Sequence, residues 1–287
     1  PPQVGQSPQV ASAPPPQVGQ SPPVASRPNN AGRNRRGRNN AGPNKAVLNE
    51  AGPYRFGTQI VSRDVALALK TIGYEEPTRI QSDCIGPLLA GNDVVGQAHT
   101  GTGKTAAFGI PLVEQADPSQ VFIQGLILVP TRELAMQVRD ELVRLAQFRR
   151  LGVVACYGGQ PISKQIAALK RRTHIVVGTP GRVLDHLGKG TLRLETVRTV
   201  VLDEADEMLD VGFLPDIERI LSRTPRNRQT ALFCATMPSP VRRIGGRNSH
   251  PELHRVHANA RPLTQHARAG KPAGPSPLSR VTPFLDP

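Results

Sequence analysis

The chain has 287 residues, 38 % of them hydrophobic, with 29 Pro, 27 Gly and a formal net charge of +14. That length allows one large domain or a medium domain with long tails, and the apolar fraction is low for a chain folded throughout. No apolar run approaches the ~18 residues of a membrane span, and these residues hold no secretory h-region. The three cysteines, Cys84, Cys156 and Cys234, have neither zinc spacing nor the even count of a disulfide framework. A membrane-spanning chain and a disulfide-stapled secreted domain are thereby excluded, and a reducing cytoplasm is the expected compartment.

Residues 1–53 are low-complexity. PQVGQSP begins at Pro2 and again at Pro16, and NNAG begins at Asn29 and Asn39 with Arg33, Arg35, Arg36 and Arg38 between. Such a segment buries too little apolar surface to offset its ordering entropy, so a disordered tail is expected. It carries six Lys/Arg and one acid. A basic tail suits a polyanion such as RNA, although an ordinary solvated tail would look the same. A first residue of Pro rather than Met is what an N-terminal fragment shows.

From Tyr54 onward, short apolar runs alternate with helical patterns. Strands are predicted over 93–97, 126–129, 153–156, 175–177, 199–202 and 230–233. Amphipathic helices lie between them, the clearest over 133–148 with Leu134, Val138, Leu142 and Leu145 along one face. Strands alternating with helices predict an α/β domain with a parallel sheet flanked by helices. Charge there is nearly balanced, 22 Lys/Arg against 19 acids over 54–240. Beyond Pro240 the periodicity stops, and 241–287, with eight Lys/Arg and two acids, is expected to be a second disordered basic tail.

Two segments carry phosphate chemistry. Ala98-His99-Thr100-Gly101-Thr102-Gly103-Lys104-Thr105 follows a predicted strand and opens a predicted helix. A Gly-rich turn aims successive backbone N–H groups inward, and a helix N-terminus adds positive potential. Lys104 would reach outer phosphates, and the Thr105 hydroxyl would hold Mg²⁺. The strict P-loop pattern has Gly where this chain has Ala98; the plain alternative is a Gly-rich turn with a solvated lysine. About a hundred residues on, Asp203-Glu204-Ala205-Asp206 ends the apolar run Val200-Val201-Leu202. Asp203 would bind Mg²⁺, and Glu204 would orient and deprotonate water. The alternative is an acidic helix N-terminus, where carboxylates are favoured anyway.

These motifs, with those below, resemble the N-terminal RecA-like domain of DEAD-box RNA helicases over roughly 56–240. GYEEPTRIQ at 73–81 resembles that family's Q motif, with Arg79 where a proline is usual, and Phe56 stands 17 residues before Gly73 as the family's lone upstream aromatic. The resemblance implies a RecA-like fold, ATP and Mg²⁺ as cofactors, Gln81 on the adenine edge and Phe56 stacked on its face. It also implies that Pro130-Thr131-Arg132, Gly158-Gly159 and Thr179-Pro180-Gly181-Arg182 grip an RNA backbone. Each follows a predicted strand and offers hydroxyls, N–H groups or a guanidinium to phosphate, with no base-reading pattern. Thr179-Pro180 is equally an N-cap with Pro at N1. Cys234-Ala235-Thr236 occupies the place of the family's Ser-Ala-Thr, which links ATP state to strand separation. A thiol is a weaker donor than a hydroxyl, which puts the coupling of Cys234 and Thr236 to Asp206 in question.

The family pairs two RecA-like domains, and the second, with its arginine-rich signature, is absent from these 287 residues. A truncated or frame-altered end is expected, and two readings follow. One is an ATP-dependent RNA helicase chain. The other is a half-helicase that binds ATP and RNA with little turnover of its own. An unrelated P-loop ATPase would leave the Q motif unexplained. Residues 1–53 generate a direct test: deleting them removes six cations, so affinity for any RNA sequence should fall and the slope of log affinity against log salt should flatten. An unchanged slope would make the segment a linker.

Overall fold

The computed structural model describes residues 53–237 and 253–257. The tail expected over 1–53 and most of that expected over 241–287 lie outside the described residues.

The described chain opens with a hairpin, β1 (Tyr54–Phe56) against β2 (Gln59–Val61), antiparallel around Gly57. Helix α1 (Arg63–Ile72) starts at Ser62, whose side chain accepts the Val65 N–H, and stops at Gly73, whose φ of +89° suits a residue without Cβ. Helix α2 (Arg79–Leu89) follows. Strand and helix then alternate: β3 (Asp93–Gln97), α3 (Lys104–Gln115), β4 (Gly125–Leu128), α4 (Arg132–Leu145), β5 (Val153–Cys156) and α5 (Ile162–Leu169). Next come β6 (Ile175–Gly178), α6 (Pro180–Gly188), β7 (Thr199–Leu202), α7 (Ala205–Asp210), α8 (Leu214–Leu221), β8 (Gln229–Cys234) and β9 (Leu253–His257).

The seven later strands form one sheet in the order β5-β6-β4-β7-β8-β3-β9, with every pairing parallel. Alternate residues of each central strand enter different layers. Ile127, Val177, Val201 and Phe233 pack with α1 to α4, whereas Leu126, Leu128, Val176, Val200 and Leu232 pack with α6 to α8. Burial on both faces explains why these strands read as continuous Val/Ile/Leu runs.

The expected α/β parallel sheet is therefore present, and each predicted strand is found with ends within one residue. Strand β4 begins at Gly125, which pairs with Ile175 and Thr199. Helix α4 ends earlier than expected: Ala146 caps it, and Phe148 is exposed beyond the apolar face. The larger correction is β9, which lies within the segment expected to lack structure and pairs with β3 along its whole length. An edge strand has one partner and needs little burial. Val256 packs against the core while His254 and Arg255 are exposed, so no apolar run announces it.

Gly96, midway along β3, has no room for a side chain: an added Cβ would lie 2.7 Å from the Phe233 ring. Gly96→Ala should cost about 1–3 kcal/mol through overpacking, read as a lower unfolding midpoint. An unchanged midpoint would mean that the ring shifts freely.

Candidate nucleotide and nucleic-acid site

Apart from the Q-motif residues on α2 and Phe56 in the hairpin, every segment singled out for chemistry leaves the carboxyl end of a strand, the edge where open α/β sheets bind ligands. The sheet order divides that edge in two. The Gly-rich loop after β3, the acidic segment after β7 and Cys234-Ala235-Thr236 after β8 come from three adjacent strands. Pro130-Thr131-Arg132 after β4, Gly158-Gly159 after β5 and Thr179 to Arg182 after β6 come from three further adjacent strands.

In the first half, the loop is pinned at its base by the Ala98 N–H, which donates to the Cys234 carbonyl at 3.0 Å. His99 and Thr100 are exposed, and the Thr102 hydroxyl donates to the His99 carbonyl at 2.8 Å. Gly101 and Gly103 hold φ of +79° and +91°, which side chains rarely adopt. Helix α3 then begins at Lys104, followed by a half-buried Thr105. The Q-motif residues brace this turn. Thr78 Oγ1 donates to the Thr102 carbonyl at 2.9 Å, and Gln81 Nε2 donates to the Gly103 carbonyl at 3.1 Å. Gln81 Oε1 also accepts the Thr78 N–H at 2.9 Å, closing the α2 N-terminus. Gln81, 3 % exposed, thus stands buried against the loop with one N–H and one lone pair of its amide uncommitted in these bonds.

Lys104 is only 6 % exposed, and its Nζ has no hydrogen-bond partner among the described residues. Opposite charge lies close by. Asp203, 2 % exposed, accepts the Glu204 N–H at 3.1 Å. Burial pushes its carboxyl up to about 6, against the pull of Lys104 and the Glu204 N–H, with Asp206 adding a smaller push. Glu204 sits at φ +52°, ψ 49°, a strained conformation for a residue with a side chain. Its carboxyl is pushed up to about 7, first by burial, then by a hydrogen bond shared with Glu207 and the charge of Asp203, while Lys104 pulls it down. A carboxyl held near neutrality suits a general base.

Asp206 binds the segment after β8 with one oxygen. Its Oδ2 accepts the Ala235 N–H at 3.1 Å, the Thr236 N–H at 2.7 Å and the Thr236 hydroxyl at 2.9 Å. These bonds to Asp206 come from the two residues after Cys234, while Cys234 is buried in the core, its thiol pushed up to about 12 mainly by that burial.

In the second half, Thr131 caps α4 by accepting the Leu134 N–H, and Pro130 precedes it. Arg132 is exposed, with its guanidinium 5.8 Å from the Tyr157 ring centroid and beside Gly159. Gly158 and Gly159 are exposed, as is Gly181, and Thr179 caps α6 with Pro180 in its first turn. Arg182 differs from the expected free cation. Its side chain is 13 % exposed, donates to the Gln160 carbonyl at 3.1 Å and pairs with Asp185 at 3.4 Å. It braces the loop after β5. Phe56 also departs from expectation: it is 3 % exposed and belongs to the core cluster, so almost none of its ring is open to a purine.

Sequence reasoning missed Tyr157 under Arg132 and the buried chain behind it. His186 bonds Thr191 and Gln165, each at 2.9 Å, and Gln165 Nε2 donates to the Tyr157 carbonyl at 2.8 Å. Burial, then the Arg182 charge, holds His186 below the usual histidine range. No periodicity or short motif marks such a chain. Among the described residues there is no helix long and apolar enough to cross a membrane and no cluster of three metal-binding side chains.

The DEAD/DEAH box helicase profile matches residues 78–244, more than half of the chain. The DEAD-box ATP-dependent RNA helicases CshA of Bacillus licheniformis and Geobacillus kaustophilus are 56 % and 55 % identical over 199 residues, 69 % of this chain. Those alignments cover 41 % and 43 % of the relatives, so the chain spans about two-fifths of their length. The crystal structure of a DEAD box protein from Methanococcus jannaschii superposes with a TM-score of 0.67 at 41 % identity, covering 70 % of this chain and 55 % of that one. A hypothetical ATP-dependent RNA helicase from Sulfolobus tokodaii gives 0.63 at 36 %, covering 69 % and 57 %. The fold is RecA-like, and the chain belongs to the DEAD/DEAH box helicase family.

Asp203 generates a prediction with a defined sign. Its folded pKa of about 6 exceeds the ordinary 3.8, so the folded protein holds this proton more tightly than the unfolded chain. Ionisation therefore costs stability as pH rises through that interval. Asp203→Asn keeps an acceptor for the Glu204 N–H and removes the charge. Without nucleotide or divalent cation, it should be more stable near pH 8 by on the order of 1–3 kcal/mol, and the gain should vanish towards pH ~4. A pH-independent difference in thermal unfolding would contradict this account.

Proposed function

We propose that this chain is the ATP- and RNA-binding part of an ATP-dependent RNA helicase that separates short duplexes locally. The observation that carries the reading is Lys104. A buried ammonium without a hydrogen-bond partner is costly, and here it stands at a helix N-terminus behind two glycines in left-handed conformation. A polyphosphate supplies the oxygens that Lys104 and the N–H groups of residues 98–105 are suited to hold. Thr105 and Asp203 are the residues to hold Mg²⁺, which when bound neutralises phosphate charge. The desolvated Asp203 carboxylate fits a cation, because such a partner offsets the burial that raises its pKa. Glu204 orients and deprotonates the attacking water. The remaining donor and acceptor of Gln81 read the adenine edge.

RNA lies along the neighbouring loops. Thr131, Arg132, Gly158, Gly159, Thr179 and Gly181 offer hydroxyl, guanidinium and backbone groups to phosphate and sugar, with Pro130 and Arg182 shaping the loops. Nothing in this set matches the edge of a particular base, which supports binding independent of sequence. The tie from Asp206 to Ala235 and Thr236 links nucleotide state to the segment after β8.

A second reading concerns the 287-residue polypeptide itself and is favoured by its span of 41 % of its relative's length. Phosphoryl transfer needs the developing charge neutralised by positioned cations, and in the helicase reading these come from a second RecA-like domain. The polypeptide alone then binds ATP–Mg²⁺ and RNA with near-background hydrolysis and no RNA stimulation.

Lys104→Ala tests the nucleotide site. ATP affinity should fall by at least about tenfold, while the unfolding temperature of the ligand-free protein should not fall, since the buried ammonium has no hydrogen-bond partner among the described residues. A large stability loss with unchanged ATP binding would make Lys104 structural. In the same assays, RNA-stimulated turnover near one per second by the unmodified polypeptide would reject the second reading and retain the first.

A further inference from the structure

The sheet has a second edge, opposite the one that carries the motifs. Helices α6 and α8 run back from the carboxyl edge and end there, beside the segment that leads into β7. Between their ends lies a cavity of about 440 Å³ with Leu184 and Leu187 in its wall and Arg193, Glu195, Arg219 and Arg223 around it. The volume is within the ~300–1,000 Å³ typical of ligand clefts. Arg219 pairs with Asp216 of its own helix at 3.6 Å. Arg193 and Arg223 are exposed and have no ion pair among the described residues.

We infer that this α6–α8 groove docks an acidic peptide segment of a protein partner, one that places an aliphatic side chain against Leu184 and Leu187 and carboxylates on Arg193 and Arg223. Charge complementarity selects the occupant. The wall carries three guanidinium groups and one carboxylate, and the internal pair with Asp216 accounts for only one of the three. Residues 1–53 and 241–287 of the chain are themselves basic, so they are repelled here. RNA is disfavoured because the wall includes leucines and has no ring in it on which a base stacks. Arginine beside apolar side chains is the composition of protein-binding hot spots. The assignment is independent of the nucleotide and RNA edge, which lies at the other end of the strands.

The test is a selection from a random peptide library against the full 287-residue chain. The recovered peptides are then measured by fluorescence anisotropy on the chain and on Arg193→Glu/Arg223→Glu, alongside a single-stranded oligouridylate RNA. The groove predicts recovered peptides rich in Asp/Glu and containing Leu or a similar side chain. Their affinity should drop at least about tenfold on the double variant, while RNA affinity stays within about twofold. Arg193→Ala/Arg223→Ala repeats the comparison without like-charge repulsion if the first variant unfolds at lower temperature. Three outcomes overturn the proposal. They are no enrichment of any peptide, recovered peptides that bind both variants as well as the parent, and a tenfold loss of RNA affinity, which would make the groove a nucleic-acid surface.

Discussion

The site is built on burying opposite charges that do not fully satisfy one another. Lys104 and Asp203 are both almost inaccessible, yet no direct hydrogen bond joins them, and burial outweighs their attraction at Asp203. Charges in that position destabilise the free domain unless rigid surroundings hold them. Strands β3 and β7, which deliver the two residues, each pair with β8 between them. The distance between the charges is therefore set by two rows of sheet hydrogen bonds rather than by side-chain choice. The Val/Ile/Leu layers on both faces keep those rows in place.

The same edge also ties together the elements of the first half of the site. Asp206 stands three residues beyond Asp203 and binds the segment after β8, while Gln97 at the end of β3 donates to the Ala235 carbonyl at 3.0 Å. The Gly-rich loop is in turn tied to α2 through Thr78 and Gln81. A displacement of the loop is thus felt at Ala235 and Thr236 through short, mostly backbone, connections. None of these bonds uses the Cys234 side chain, so the serine-to-cysteine difference from the family pattern removes none of them. The thiol instead fills a core position that would leave a hydroxyl in need of a partner.

The central strands were legible because burial on both faces writes a continuous apolar run into the sequence. The Gly-rich and acidic segments were legible because their chemistry demands particular residues in a particular order. Three features were hidden for different physical reasons. Among the described residues, strand β9 packs Val256 against the core and pairs only with β3, while His254 and Arg255 are exposed, so no apolar run marks it. Phe56 was legible as an aromatic at the expected spacing, but spacing does not say which way a ring faces, and the β1–β2 hairpin turns it into the core. Arg182 reads as a cation for phosphate, yet its reach to Gln160 and Asp185 depends on how α6 packs beside the loop after β5.

What remains exposed on the half proposed to bind RNA is mostly backbone and small side chains. Thr131 and Thr179 start helices at the carboxyl edge, and Gly158, Gly159 and Gly181 keep the approach open, while Arg132 is steadied by the Tyr157 ring rather than by a strong ion pair. Helix N-termini and glycines present N–H groups at fixed positions with no side chain to discriminate among bases. A surface of this kind follows the shape and charge of a backbone. It gains its precision from the sheet beneath it, since the strands that lead into these loops, β5, β6 and β4, are mutual neighbours. In the proposed RNA-binding role, sequence-blind contact and a rigid parallel sheet are the same property seen at two levels.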